Sequence, residues 1–250
     1  MKLQDKVAVV TGGGRDIGRA ISLRLAAEGA HVVVNFAHDE RGAARTVRDI
    51  EAAGGRSIAV QADVTRATEV ERLFAAAADA FGPDLHVLVN NAGGMVARKP
   101  LAEMDVEFFD HVMALNVRSV FLATQQAASR MKAGGAIVNI ASQAGRDGGG
   151  GGAAAYATAK GAVMTFTRAM AKELGPKGIR VNALCPGMIS TSFHDTFTKP
   201  EIRASVAAST PLRREGRAEE VAAVVAFLAS ADADFVHGAN LDINGGGFFS

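Results

Sequence analysis

Tyrosine occurs once in the 250 residues, at Tyr156, and tryptophan not at all, whereas phenylalanine occurs 13 times. A core in need of aromatic bulk can draw on Phe, so the solitary phenol reads either as a hydroxyl kept for chemistry or as a half-buried surface group. Cysteine is equally scarce. Cys185 alone excludes an internal disulfide and fits a reducing compartment, so a cytoplasmic location is expected. Charge of one sign is missing too: 27 basic residues face 26 acidic ones, for a net charge of +1. With no Lys/Arg run and no aromatic–basic interleaving, no nucleic-acid partner is expected. Long apolar runs are absent. The stretch from Val7 to Val10 is too short for a signal peptide, and no segment approaches the roughly 20 apolar residues of a membrane span. The six histidines show no ligand spacing such as His-Glu-x-x-His, so no metal is expected.

What is present is a regular alternation. Short β-branched runs (Lys6 to Thr11, His31 to Asn35, Ser57 to Gln61, His86 to Asn90, Ala136 to Ser142, Ile179 to Leu184, Asn240 to Ile243) are separated by Ala-rich helical patterns. Those patterns run over about Ile17 to Glu28, Glu40 to Ala53, Thr68 to Phe81, Asp105 to Met131, Ala155 to Leu174 and Ala218 to Ala229, with an irregular stretch before the last. Such alternation predicts an α/β fold, a doubly wound parallel sheet of about seven strands with helices on both faces. The near-continuous apolar strands fit burial from both sides. No linker or shift in composition divides the chain, so residues 1–250 are expected to form a single domain of Rossmann type.

Ligands of such sheets bind beyond the carboxyl ends of the strands. At those ends stand Thr11-Gly12-Gly13-Gly14, Asn35, Asp63, Asn90-Asn91-Ala92-Gly93, Ser142 and Cys185-Pro186-Gly187. The glycine-rich turn opens the first helix, where free N–H groups and the positive end of the helix dipole suit a phosphate pair. Tyr156 and Lys160 are four residues apart, hence on one helix face. An ammonium near a phenol lowers its pKa, and a phenol tuned that way exchanges a proton with a carbonyl or alcohol oxygen.

Together these motifs resemble the short-chain dehydrogenase/reductase family over essentially the whole chain. Thr11, Gly12 and Gly18 match its glycine motif, Asn90-Asn91-Ala92-Gly93 is complete, and Asn116, Ser142 and Tyr156-x-x-x-Lys160 follow in order. The resemblance implies an NAD(P)-dependent oxidoreductase moving hydride between nicotinamide and a ketone or secondary alcohol. It casts Tyr156 as general acid/base, Lys160 as its electrostatic partner and ribose ligand, Ser142 as the donor to the substrate oxygen, and Asn116 as the anchor of a proton-relay water. It also implies cofactor contacts by Gly12, Arg15, Asp16, Ile17, Gly18, Asn35, Asp63, Val64, Asn90, Ala92, Gly93, Pro186, Gly187, Ile189 and Thr191, besides Tyr156 and Lys160. A homotetramer joined through the two long helices is implied as well, with the Ala-rich face between Ala153 and Ala171 suited to close packing.

The chain departs from the family where the middle glycine of the turn is Asp16. Asp is a favoured helix cap, so capping is the expected role; the competing reading sets its charge against the phosphates. Asn35-Phe36 puts no carboxylate at the end of the second strand, where NAD specificity needs one, and Arg15 offers a partner for a 2′-phosphate. NADP(H) is therefore expected over NAD(H), with Asp39 the opposing sign. Cys185 reads as a buried thiol. The run Gly148 to Gly152 suggests a mobile loop or a tolerated insertion, and Phe193 with Phe197 suggests a lid. Arg146 and His194 hint at a polar or acidic substrate. The substrate classes in view are a 3-oxoacyl thioester or a small polar, sugar-type carbonyl. The alternatives are an NAD(H)-dependent sugar or polyol dehydrogenase and a dinucleotide-binding regulator without turnover.

Overall fold

The computed structural model describes residues 1–249. The strands are β1 (Val7–Val10), β2 (His31–Phe36), β3 (Arg56–Gln61), β4 (Leu85–Asn90), β5 (Met131–Ile140), β6 (Arg180–Pro186) and β7 (Asn240–Ile243). They form one parallel sheet in the order β3-β2-β1-β4-β5-β6-β7. The helices are α1 (Asp16–Ala27), α2 (Glu40–Ala52), α3 (Ala67–Phe81), α4 (Val106–Met113), α5 (Ser119–Ala128), α6 (Ala144–Asp147), α7 (Ala154–Leu174), α8 (Ser192–Phe197), α9 (Pro200–Ser209) and α10 (Ala218–Ala229).

The pleat divides the strand side chains between two layers. Ala8, Val10, Val32 and Val34 pack with Ile21 and Leu25 of α1 and Val225 and Leu228 of α10. Val7, Val9 and Val33 pack on the other face with Leu73 and Phe74 of α3, Ala123 and Ala127 of α5 and Leu174 of α7. Chain order reverses between β1 and β4, and that switch point opens the cleft where ligands of such sheets bind.

Two expectations need correction. The helix read over Asp105 to Met131 is two helices joined by a π-helical turn, Ala114–Arg118, and the chain is extended again by Met131. A π turn opens the backbone ladder by one residue, and such turns gather at functional sites. Here it contains Asn116, whose Nδ2 donates to the Val112 and Gly94 carbonyls (2.9 Å each) while Oδ1 accepts from Gly94 N–H at 3.0 Å. The stretch read as irregular before α10 contains α8 and α9. Within the chain, Ala155 and Ala159 of α7 pack with Val112, and Ala171 joins the core on the face of α3 and α5. No helix is long and apolar enough to cross a membrane among the described residues.

Candidate active site

A cleft of about 1250 Å³ runs along the carboxyl ends of the strands, from Phe36–Asp39 beyond β2 to Asn244 beyond β7. That exceeds the roughly 300–1,000 Å³ of a single-ligand pocket and suits an elongated ligand with a smaller one beside it. Gly12, Arg15, Asp16, Ile17, Gly18, Ala92, Gly93, Ser142, Tyr156, Lys160, Pro186, Gly187, Ile189 and Thr191 all reach its wall.

The first turn is shaped for a close-lying ligand. Gly12 has φ +63°, and Asn35 Oδ1 accepts its N–H at 3.2 Å. Asn91 Nδ2 donates to the carbonyls of Thr11 and Gly12 (3.0 Å each), fixing the turn to the end of β4. Gly18 has no room for a side chain: a Cβ there would sit 2.0 Å from the Gly12 carbonyl oxygen. Gly18→Ala is therefore expected to displace the turn, lowering stability by about 1–3 kcal/mol as overpacking does. Calorimetry checks the stability, and titration with a dinucleotide should show weakened binding; unchanged values for both would contradict the tight-turn account.

Four residues expected to meet the cofactor are not among those lining the cleft. Asn35 is buried behind the turn, its Nδ2 donating to the carbonyls of Val60 (3.3 Å) and Ala62 (3.0 Å). Asn90 is buried too, donating to Asn139 Oδ1 at 2.8 Å and Thr124 Oγ1 at 3.1 Å. Asp63 accepts from the N–H and hydroxyl of Thr65 at 2.9 and 2.7 Å, and Val64 is buried beside it. Asn35 and Asn90 fold the walls rather than line the cleft, because a buried polar group with partners in reach is satisfied inward, whereas Asp63 is half-buried and bonds locally to Thr65. Asn116 likewise stands one layer behind, against Gly93 and Gly94. A Cβ on Gly93 would lie 2.6 Å from Asn116 Oδ1 and 3.2 Å from Lys160 Nζ, so this glycine lets both polar groups approach the cleft floor.

Ser142, Tyr156 and Lys160 converge on the far wall. Ser142 follows β5, and its Oγ accepts the Ala144 N–H at 3.1 Å. Tyr156 stands on the first turns of α7. Burial pushes its pKa up, and a hydrogen bond from Ser142 draws it partly back. The expected lowering by Lys160 does not prevail. Its Nζ donates to the Ile140 carbonyl at 2.8 Å and lies 5.7 Å from the Tyr156 ring centre. Burial lowers Lys160 to about 8, since the apolar surroundings disfavour its charged form.

Asp16 does not cap α1. Arg15 occupies the cap position without a side-chain bond, and the Asp16 carboxylate accepts from Ser192 N–H (3.1 Å) and Ser192 Oγ–H (2.5 Å) at the start of α8. Arg15 Nε lies 4.0 Å from it. Arg146, expected to face a substrate, is half-buried and bonded to Asp242 (2.7 Å) and the Asn240 carbonyl (2.5 Å). His194 does reach the cleft, its pKa lowered by burial and by Arg203. Cys185 is buried, with burial raising its pKa, as expected of a packing thiol.

Phe193 stands 5.8 Å from the Tyr156 ring and 5.0 Å from Phe197, forming an apolar roof over the phenol. The glycine run is tied down: Arg98 Nη1 donates to the Gly151 carbonyl at 2.9 Å, and Lys99 N–H to that of Gly152 at 3.1 Å. Among the wall residues that sequence reasoning missed is Val96, whose φ of +66° is strained for a β-branched side chain. The segment carrying Val96 and Arg98 has no periodicity, so nothing in the sequence singled them out.

Comparison with known proteins gives a consistent result. The family model described as enoyl-(acyl carrier protein) reductase matches residues 12–247. An uncharacterized oxidoreductase of Methylorubrum extorquens is 43% identical over 247 residues, covering 98% of each chain. A solved short-chain dehydrogenase/reductase from Serratia marcescens is 39% identical with a TM-score of 0.93, covering 98% of this chain and 99% of that one. A short-chain dehydrogenase from Burkholderia cenocepacia, solved in complex with NADP, is 36% identical with a TM-score of 0.93 and 99% of both chains covered.

Proposed function

This chain belongs to the short-chain dehydrogenase/reductase family of NAD(P)-dependent oxidoreductases, and from that premise we propose that it uses NADPH to reduce a ketone to a secondary alcohol, or runs the reverse. The observation that carries this reading is the convergence of Ser142, Tyr156 and Lys160 in the wall of a cleft that begins at the glycine turn. The glycine turn fits a dinucleotide because Gly12 and Gly18 leave only backbone where a phosphate pair would approach. Bound there, the nicotinamide supplies hydride.

The chain's own residues do the rest. When substrate is bound, the Ser142 hydroxyl, held next to Tyr156 and anchored by the Ala144 N–H, turns its proton to the carbonyl oxygen and stabilises the negative charge that develops on it. Tyr156, held protonated across neutral pH by burial, delivers the proton. The Lys160 ammonium, anchored on Ile140, puts a positive charge on the cleft floor where that proton transfer needs it. Phe193 and Phe197 exclude water above the phenol and favour a substrate with an apolar flank.

NADPH over NADH is supported at the ribose end. The cleft wall there is Phe36, Ala37, His38, Asp39 and Arg15. Asp39, the carboxylate that would favour NAD, caps α2 by accepting the Gly42 N–H at 2.9 Å. The exposed Arg15 guanidinium is left as the cation for a 2′-phosphate, and the relative from Burkholderia cenocepacia, solved in complex with NADP, supports the choice of NADP(H). The test is a panel of ketones followed by NADPH or NADH absorbance, in the wild type and in Arg15→Ala. NADPH should be preferred, and the variant should lose about 10-fold in NADPH affinity, as for one charged hydrogen bond, while NADH affinity holds. A wild-type preference for NADH would overturn the cofactor assignment.

A further inference from the structure

We infer that Asp16 is a positioning residue for the carbonyl substrate: its carboxylate fixes the start of α8 and so holds the Phe193 roof over Tyr156. The inference rests on the cleft being a carbonyl-reducing site. Asp16 adopts φ +48°, a left-handed conformation that glycine takes freely and most residues avoid. The chain nonetheless has an acid where the family pattern has glycine, and beyond Arg15 at 4.0 Å the carboxylate makes its hydrogen bonds away from its own turn. Both oxygens go to Ser192, across a sequence separation of 176, one to its N–H and one to its hydroxyl.

The next residue is Phe193. Its ring meets Tyr156 at 5.8 Å, His194 at 5.1 Å and Phe197 at 5.0 Å, so the placement of Ser192 sets the height of the roof. The far end of α8 is tied as well, by Arg98 Nε donating to the Phe197 carbonyl at 2.9 Å, and Asp195 pairs with Arg203 of α9. α8 is a six-residue helix with little buried surface of its own, so these polar ties take the place of core packing. The Asp16 tie differs from the other two because its near end is in the glycine turn. It joins the turn that would hold a pyrophosphate to the roof over the reacting carbonyl. It also resolves how an acid can stand beside an anion cradle: two donors from Ser192 take up its charge.

The test uses the absence of tryptophan from the chain. Phe197→Trp places a single indole on α8, and its quenching by acrylamide reports how closed the roof is without any turnover. Adding Asp16→Gly should raise quenching clearly, and Asp16→Asn, whose Oδ1 can still accept from Ser192, should restore it. In steady state, Asp16→Gly without the tryptophan should raise KM for the ketone about 10-fold with a smaller change in kcat, the pattern of lost substrate positioning. Its Kd for NADPH should stay within about 2-fold of wild type, since no phosphate contact is removed. Unchanged quenching and KM in Asp16→Gly would overturn the inference. So would a marked gain in NADPH affinity, which would mean that the carboxylate acts on the phosphates. Because quenching needs no substrate, failure of the enzymatic reading, seen as no ketone turned over by wild type, is distinguishable from failure of the tie.

Discussion

Tyr156→Phe should lower kcat for ketone reduction by about 10²–10⁴-fold, the range for removing a general acid. The ring keeps its place: Phe fits the same contact with Phe193 and loses only the hydroxyl and its bond with Ser142. The melting temperature should therefore move little, and the Kd for NADPH should stay close to wild type. Steady-state rates beside calorimetry check this. A rate within a few-fold of wild type would remove Tyr156 from the proton transfer.

Lys160→Met should separate activity from stability. Turnover should fall by about 10²-fold or more, since a buried charge beside the reacting group is lost. Stability at pH 7 should rise. Lys160 is buried with its pKa lowered from 10.5 to about 8, so at pH 7 the fold carries the cost of keeping it charged, about 3 kcal/mol. The hydrogen bond to Ile140 offsets about 1 kcal/mol of that when it is lost. The sign follows from proton counts. Below pH 8 both folded and unfolded chains hold the proton, and the cost is constant. Between pH 8 and 10.5 the unfolded chain binds more protons than the folded one, so wild-type stability rises with pH. The advantage of Met should thus be a few degrees in melting temperature at pH 7 and should fade as pH climbs from 8 to 10.5. Thermal melts of both proteins across that range measure it. A Met variant less stable than wild type at pH 7 would mean that Lys160 is a net stabilising group. In wild type the same titration should make the reduction rate decline as pH passes about 8, where the ammonium is lost.

Much of this is legible in the amino-acid sequence. Strands such as β2 and β7 and helices such as α2 and α10 appear within a residue or two of their hydrophobic periods, because those periods reflect which face is buried. The cleft-lining glycines and the trio of Ser142, Tyr156 and Lys160 were readable because strand-end position fixes where a residue faces. What was not readable depends on contacts between distant segments. Asp16 looked like a cap because capping is a local rule; its partner Ser192 lies far along the chain, and no local rule points there. Asn35 and Asn90 stand at strand ends as expected, but the hydrogen bonds they find turn them inward, away from the cleft wall. The π turn at Asn116 breaks a helical pattern that the sequence continues, and α9 has too weak an apolar face to be seen. The Tyr156–Lys160 spacing points to a phenol that ionises more easily; the apolar surroundings of the half-buried phenol and the buried ammonium reverse that direction, and those surroundings come from the tertiary fold.

The most direct test of the account is transfer of label. Wild-type protein is incubated with NADPH deuterated at the transferring position and a ketone it turns over, and the alcohol is weighed by mass spectrometry. One deuterium should appear in the alcohol formed by wild type, with its rate of appearance falling by about 10²–10⁴-fold in Tyr156→Phe. Alcohol without deuterium, or label appearing equally fast in the Phe variant, would contradict hydride delivery with Tyr156 as the proton donor.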